Sequence, residues 1–342
     1  MKDTIHGGDV YRHRDVLDFS ANMNPLGTPE SVIRAAAESL GEIHNYPDIR
    51  MEALRKSLAG YEQVPEEWLV CGNGAAEVIF MLILALRPGH ALLPAPTFAE
   101  YEQALRLAGT EISYFVLREE DGFRVTERIL EQITPETGFL MLCNPNNPTG
   151  TLIEPSLMGE ILDRCRDTGT FLAIDECFQD FIDEPERYTA KGQLAKRRGL
   201  FLLKAFTKRY AMAGIRLGYG ICSDLDLLEA MRDCVQPWNV SIPAQAAGVA
   251  ALKEETYVEE ARKIVKRERE FLRKELAALG FRVYDSKANY LFFRGPEGLA
   301  EKTLKKGVMI RDCGNYRGLA EGYYRAAVKT HEENLKLLEA LG

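Results

Sequence analysis

The sequence predicts an α/β protein with a large domain built on a mostly parallel central sheet and a second, smaller α/β domain. Three observations carry that expectation. Seven short apolar runs, residues 68–73, 90–94, 112–117, 138–144, 170–175, 200–206 and 217–222, alternate with helical patterns long enough to serve as crossover connections. The texture changes at Pro243, beyond which a long charged helical stretch and a separate strand-like run follow. Finally, 342 residues with 46% hydrophobic content suffice for about two globular units at roughly 150 residues each.

Taken in chain order, residues 1–40 read as an irregular arm and a helix that belong with the small domain and act as a lid. Thr28-Pro29-Glu30 supplies an N-cap, a first-turn proline and a first-turn acid for a helix running to Leu40. Residues 41–240 are assigned to the large domain, with helices at 75–86, 99–107 and 155–166 between the strands. Residues 241–342 form the small domain: a charged helix at about 254–279, a strand at 290–293 and a terminal helix at 332–341. The charged helix carries Arg262, Lys263, Lys266, Arg267, Arg269, Arg273 and Lys274 among glutamates, and reads as a solvated face.

Composition narrows the function. A net charge of −8 argues against a partner with a phosphate backbone or an anionic membrane surface. The longest apolar run, residues 78–86, is far short of the ~20 residues that span a bilayer, and residues 1–10 include Asp and His where a signal peptide would be apolar. A soluble, cytoplasmic protein is expected. Seven cysteines without a CxxC pair read as reduced, mostly buried thiols. Five scattered histidines argue against a metal cage, and there is no GxxxxGK[ST], HExxH or GxSxG.

Chemistry-bearing residues cluster at strand ends, where open α/β sheets bind ligands. Gly72-Asn73-Gly74-Ala75-Ala76-Glu77 turns a strand into a helix and could present backbone amides to a phosphate, although alone it reads as a tight turn. Asn144-Pro145-Asn146-Asn147-Pro148-Thr149-Gly150 is a stiff loop able to aim an amide. Asp175 ends an apolar strand, where burial is costly without a cation. Lys208 lies 33 residues further on and, by itself, reads as a surface charge.

In this order the pieces resemble the fold-type I family of pyridoxal-phosphate enzymes, and the resemblance spans nearly the whole chain. It implies that Lys208 condenses with the cofactor aldehyde and that Asp175 keeps the pyridine nitrogen protonated, so that the ring accepts electrons from the substrate. It also implies that Asn147 meets the ring hydroxyl and Phe98 stacks on the ring. Thr207, Arg216 and the turn Gly72, Asn73, Gly74 and Ala75 hold the cofactor phosphate by the same resemblance. Tyr46 would reach the phosphate of a neighbouring subunit, which implies a homodimer. Ala205 and Phe178 depart from the common Ser/Thr and Tyr of the family, removing one hydroxyl each.

The arm, His6-Gly7-Gly8-Asp9 and Asp18-Phe19-Ser20-Ala21-Asn22-Met23-Asn24-Pro25-Leu26-Gly27, is similar within that family to the threonine-phosphate decarboxylases of cobalamin biosynthesis, close relatives of histidinol-phosphate aminotransferases. Carried over, Arg325 clamps the substrate carboxylate, and His6, Gly7, Asn22, Asn147 and Arg311 surround a small phosphorylated amino acid. Two reactions share all of these residues, because the outcome depends on which bond at the substrate α-carbon stands perpendicular to the ring. The expected reaction is decarboxylation of O-phospho-L-threonine or phosphoserine, and transamination with 2-oxoglutarate is the alternative. A transcription regulator built on this fold would carry a winged-helix domain, for which residues before Asp18 leave no room.

Overall fold

The computed structural model describes residues 6–342. Strand β1 (Leu17–Asp18) lies in the arm. The central sheet follows, with β2 (Leu69–Gly72), β3 (His90–Ala95), β4 (Glu111–Val116), β5 (Phe139–Cys143), β6 (Phe171–Asp175), β7 (Leu200–Ala205) and β8 (Gly218–Cys222). Its order is β2-β8-β7-β6-β5-β3-β4. Pairings from β7 through β4 are parallel, whereas β8 runs antiparallel to both β7 and β2. Each of the seven apolar runs has become a strand, and the sheet is mostly parallel as expected.

The inner strands β3 and β5 to β8 are buried nearly throughout because both faces are covered, whereas β4, at the edge, exposes Glu111, Ser113 and Val116. Leu140 and Leu142 of β5, Leu172 and Ile174 of β6, and Leu200 and Leu202 of β7 enter one core, while Phe139, Met141, Ala173, Phe201 and Leu203 enter the other. The period-two alternation that usually separates core from solvent here separates two cores. Gly220 of β8 is fixed by this packing, since a Cβ there would lie 2.0 Å from Cζ of Phe201. Helix Gly74–Leu86 covers the second core with Val78, Ile79, Met81, Leu82 and Ile83.

The C-terminal part contains β9 (Arg282–Val283), β10 (Tyr290–Arg294), β11 (Val308–Met309), β12 (Arg311–Asp312) and β13 (Tyr323–Ala327). Four of them form an antiparallel sheet ordered β12-β13-β10-β9, and β11 pairs in parallel with β1 of the arm. Helices Tyr257–Ala278 and His331–Leu341 pack on this sheet through Leu272, Leu276, Leu337 and Leu341. The arm is bound further by Ala327 N donating to Phe19 O at 2.8 Å.

Three local expectations are corrected. The first helix is Glu30–Glu38, and Thr28 does not cap it: the hydroxyl donates to Ala211 O at 2.7 Å, joining the arm to the segment after Lys208. The long helix starts at Tyr257, because a tight turn at 253–255 closes the preceding helix, Ile242–Ala251. Its charged face is not wholly solvated. Arg269 is buried, donating to Lys287 O at 2.8 Å and pairing with Asp183 at 3.1 Å. The cysteines are all free, and six of the seven are buried. Among the described residues no helix is long and apolar enough to cross a membrane, and no cluster of metal ligands occurs.

Candidate active site

The carboxyl ends of β5, β6 and β7 converge, with Cys143 beside Asp175 and Asp175 beside Leu203 in register. Here the structure gathers His6, Gly7, Asn22, Ala75, Phe98, Asn147, Asp175, Thr207, Lys208, Arg216, Arg311 and Arg325 around one cavity of about 320 Å³. Residues from the arm, the central sheet and the C-terminal sheet therefore share one space. A larger hollow of about 640 Å³ lies beside Trp238 and Arg232 and contains none of these twelve.

Asp175 is 5% exposed, at the last position of β6. Its Oδ2 accepts from Tyr101 Oη at 2.5 Å and its Oδ1 from Cys177 N at 2.8 Å. Among the described residues no cation stands within ion-pairing distance of it, and burial raises its pKa. An unpaired buried carboxylate costs several kcal/mol, so this geometry suits a ligand that brings a positive charge.

Lys208 lies on the short helix Phe206–Arg209 that leaves β7. Its Nζ has no hydrogen bond or ion pair among the described residues, and burial with the nearby charges of Arg325 and Arg216 lowers its pKa to about 8. Lys204, four residues earlier near the end of β7, has the opposite environment. It pairs with Glu176 at 3.4 Å and Glu62 at 3.8 Å, and these carboxylates raise its pKa against the effect of burial. Of the two lysines, only Lys208 is readily available as a free amine.

Arg216 has a left-handed backbone, φ 60°, which turns its guanidinium over the glycine turn. A Cβ on Gly74 would lie 2.3 Å from Arg216 Nη2, so the glycine makes room for the cation at a helix N-terminus. Ala75, Thr207 and Arg216 thus offer amide, hydroxyl and guanidinium to an anion. The turn is not wholly free, because Asn73 N already donates to Glu77 Oε2 at 2.6 Å. A free amine, a phosphate-sized anion site and an unpaired carboxylate in one cavity fit pyridoxal phosphate.

Arg311 and Arg325 are directly opposite each other on β12 and β13, so both side chains leave the sheet on the same face. Each is 6% exposed. Arg325 donates to Asn147 Oδ1 and, at 2.6 Å, to Ser20 O, while its Nε is buried without a partner. Arg311 donates to Asn315 Oδ1 at 2.8 Å and sits over the Tyr316 ring. The arm is seated tightly, because a Cβ on Gly7 would lie 2.5 Å from Ser20 O. Asn22 Oδ1 is buried and unpartnered, an acceptor facing the same cavity.

Four expected residues do not line the cavity: Tyr46, Gly72, Asn73 and Gly74. Tyr46 is 76% exposed and stacks on Trp238 with ring centroids 4.3 Å apart. Of the glycine turn, Ala75 lines the cavity, while Gly74 touches it only through Arg216. Sequence reasoning did not single out Tyr101, which fixes Asp175, or Glu100, which lines the cavity. Both stand in the stretch Phe98-Ala99-Glu100-Tyr101, part of the family resemblance, and in the first turn of helix Ala99–Leu107, but neither observation gives them a task.

Comparison with known proteins supplies the relatives. The sequence profile of the aminotransferase class I and II family matches residues 14–341. The chain is 38% identical to threonine-phosphate decarboxylase of Salmonella typhimurium, over 99% of this chain and 96% of that one. It is 31% identical to a histidinol-phosphate aminotransferase of Symbiobacterium thermophilum, covering 97% and 92% respectively. The crystal structure of the histidinol-phosphate aminotransferase from Clostridium acetobutylicum superposes with a TM-score of 0.89 at 32% identity, covering 95% of this chain and 98% of that chain.

Proposed function

Because the chain belongs to the class I and II aminotransferase family of pyridoxal-phosphate enzymes, we propose that it decarboxylates O-phospho-L-threonine, or the related phosphoserine, to a phosphorylated amino alcohol. The observation that carries this reading is the pair of buried arginines on neighbouring strands, Arg311 and Arg325, facing the cavity that holds Lys208. A substrate with two anionic ends needs two such cations. The higher identity to the threonine-phosphate decarboxylase supports decarboxylation over transamination. A product of this kind would supply the amino-alcohol part of cobalamin.

When bound, the cofactor supplies a sink for the electrons released as a bond at the substrate α-carbon breaks. Lys208, with its amine freed by burial and neighbouring cations, provides the nucleophile that retains the cofactor aldehyde. Asp175, oriented by Tyr101, would hold a proton on the ring nitrogen. Asn147, already bonded to Arg325, would hydrogen-bond the ring hydroxyl, and Phe98 would pack against the ring. Arg216, Thr207 and the amide of Ala75 would take the cofactor phosphate, with Gly74 leaving room for the Arg216 guanidinium.

Arg325 grips the substrate carboxylate and so sets its torsion. Its anchors, Asn147 and Ser20 O, fix the guanidinium plane relative to the ring site. Arg325→Lys keeps the charge but loses the fork, and turnover should fall by about 10- to 100-fold with part of the flux diverted to amino transfer. Measuring carbon dioxide and amino-group transfer in parallel checks this; unchanged turnover with undiverted flux would remove Arg325 from carboxylate control.

The active unit is a homodimer in this reading. Tyr46 does not line its own cavity; Leu40, Ile43 and Ile49 close to it in the chain, and Trp238 stacked on its ring, expose apolar surface. Exposed aromatic and aliphatic surface of this kind suits an interface. Tyr46 would then complete the partner's phosphate site.

A further inference from the structure

Glu100 is a buried acid to which none of the steps above gives a task. It occupies the second position of helix Ala99–Leu107 and its side chain is 13% exposed. Oε1 is 3.4 Å from His6 Nδ1, while Oε2 is buried without any hydrogen-bond partner. The groups that face it come from every side of the cavity: His6 from the arm, Lys208 after β7, Asp175 at the end of β6, Arg311 on β12 and Tyr316 beyond it. With Arg325 on the substrate carboxylate, Arg311 is left for the substrate phosphate, and His6, beside Glu100, lines the same cavity.

An ionised Glu100 would oppose a phosphate arriving between Arg311 and His6, since like charges in one desolvated site disfavour double ionisation. An orphaned carboxyl oxygen at that point needs a proton between itself and the ligand. Resting on the phosphoamino-acid reading, we propose that Glu100 recognises the substrate phosphate through one shared proton, which the site takes from solvent on binding. The proton completes an O–H···O hydrogen bond between two acids, leaving a single net negative charge fewer for Arg311 and His6 to offset.

The acid is suited to this. Burial pushes Glu100 up to about 7, close to the second ionisation of a phosphate monoester near ~6. His6, whose pKa is lowered by burial and by Arg311, is the competing site for the proton. The raised carboxyl implies the sign of the effect: binding strengthens as pH falls toward 7 and weakens as it rises beyond.

The test uses the cofactor-loaded enzyme and 3-phosphoglycerate, which has the carboxylate and phosphate of phosphoserine but a hydroxyl in place of the reactive amine. Calorimetry at pH 8 in buffers of different ionisation enthalpy measures proton uptake directly. The wild type should take up most of one proton, and its affinity should fall by about tenfold per pH unit between pH 8 and 9, the slope for one linked proton. Glu100→Gln donates without titrating, so it should lose that uptake and that slope while binding at least as tightly at pH 9. His6→Asn should retain the uptake. Undiminished uptake in Glu100→Gln, or weaker binding by it at every pH, would overturn the proposal. Failure of the wild type to bind 3-phosphoglycerate at pH 7 would instead overturn the substrate reading, and the proposal with it.

Discussion

Lys208→Ala is expected to reduce turnover by more than about 10³-fold, because it removes the nucleophile that would hold the cofactor. The protein should still fold, since Lys208 Nζ contributes no ion pair or hydrogen bond among the described residues. Borohydride treatment of the wild type, followed by peptide mapping, should find the cofactor fixed on Lys208 and leave Lys204 unmodified. Lys204 is nearby but held as an ammonium by Glu62 and Glu176. Label on Lys204, or on neither lysine, would contradict the assignment. The same variant tests the dimer: mixed with chains carrying Tyr46→Glu, whose added charge opposes the partner's phosphate, it should recover activity in hybrid sites. No recovery after demonstrated subunit exchange would count against shared sites.

Asp175→Asn should leave the cofactor bound while lowering turnover by ~10²-fold or more, because a neutral amide no longer holds a proton on the ring nitrogen in a water-poor site. Steady-state assays check the loss. The substitution should have the opposite effect on the cofactor-free protein. The folded-state pKa of Asp175 is raised above its unfolded value, so the folded form binds the proton more tightly, and this residue's contribution to stability declines as pH rises from 4 toward neutrality. Asparagine removes that penalty, and the apoprotein variant should melt at a higher temperature than wild type at pH 7. An unchanged turnover would take Asp175 out of the mechanism. Lower apoprotein stability would mean that the hydrogen bonds from Tyr101 and Cys177 outweigh the cost of burying the charge.

Much of the fold was legible because a parallel sheet covered on both faces leaves unbroken apolar runs. Leu140, Met141 and Leu142 can be read as a strand without knowing their neighbours. Thr28 was misread because capping rules are local, whereas its hydroxyl is claimed by Ala211, 183 residues away. The ordered series Asp175, Lys208 and Arg216 was visible as a family pattern, but the reason for its chemistry was not. The contrast between Lys204 and Lys208 depends on which side of β7 faces Glu62, and Glu62 comes from a helix far earlier in the chain. Tyr101 and Glu100 carry helix-like spacing, and only the approach of β6 and the arm gives them polar partners. Arg311 and Arg325 become a pair through antiparallel register, which the spacing of 14 residues does not disclose.

The proposed reaction is tested most directly by incubating the cofactor-loaded enzyme with O-phospho-L-threonine, with and without 2-oxoglutarate, while measuring carbon dioxide, the phosphorylated amino alcohol and glutamate. Carbon dioxide and the amino alcohol should appear in equal amounts and at the same rate whether or not the oxo-acid is present. Glutamate formation that requires 2-oxoglutarate, with no carbon dioxide released, would contradict the account and identify a transaminase.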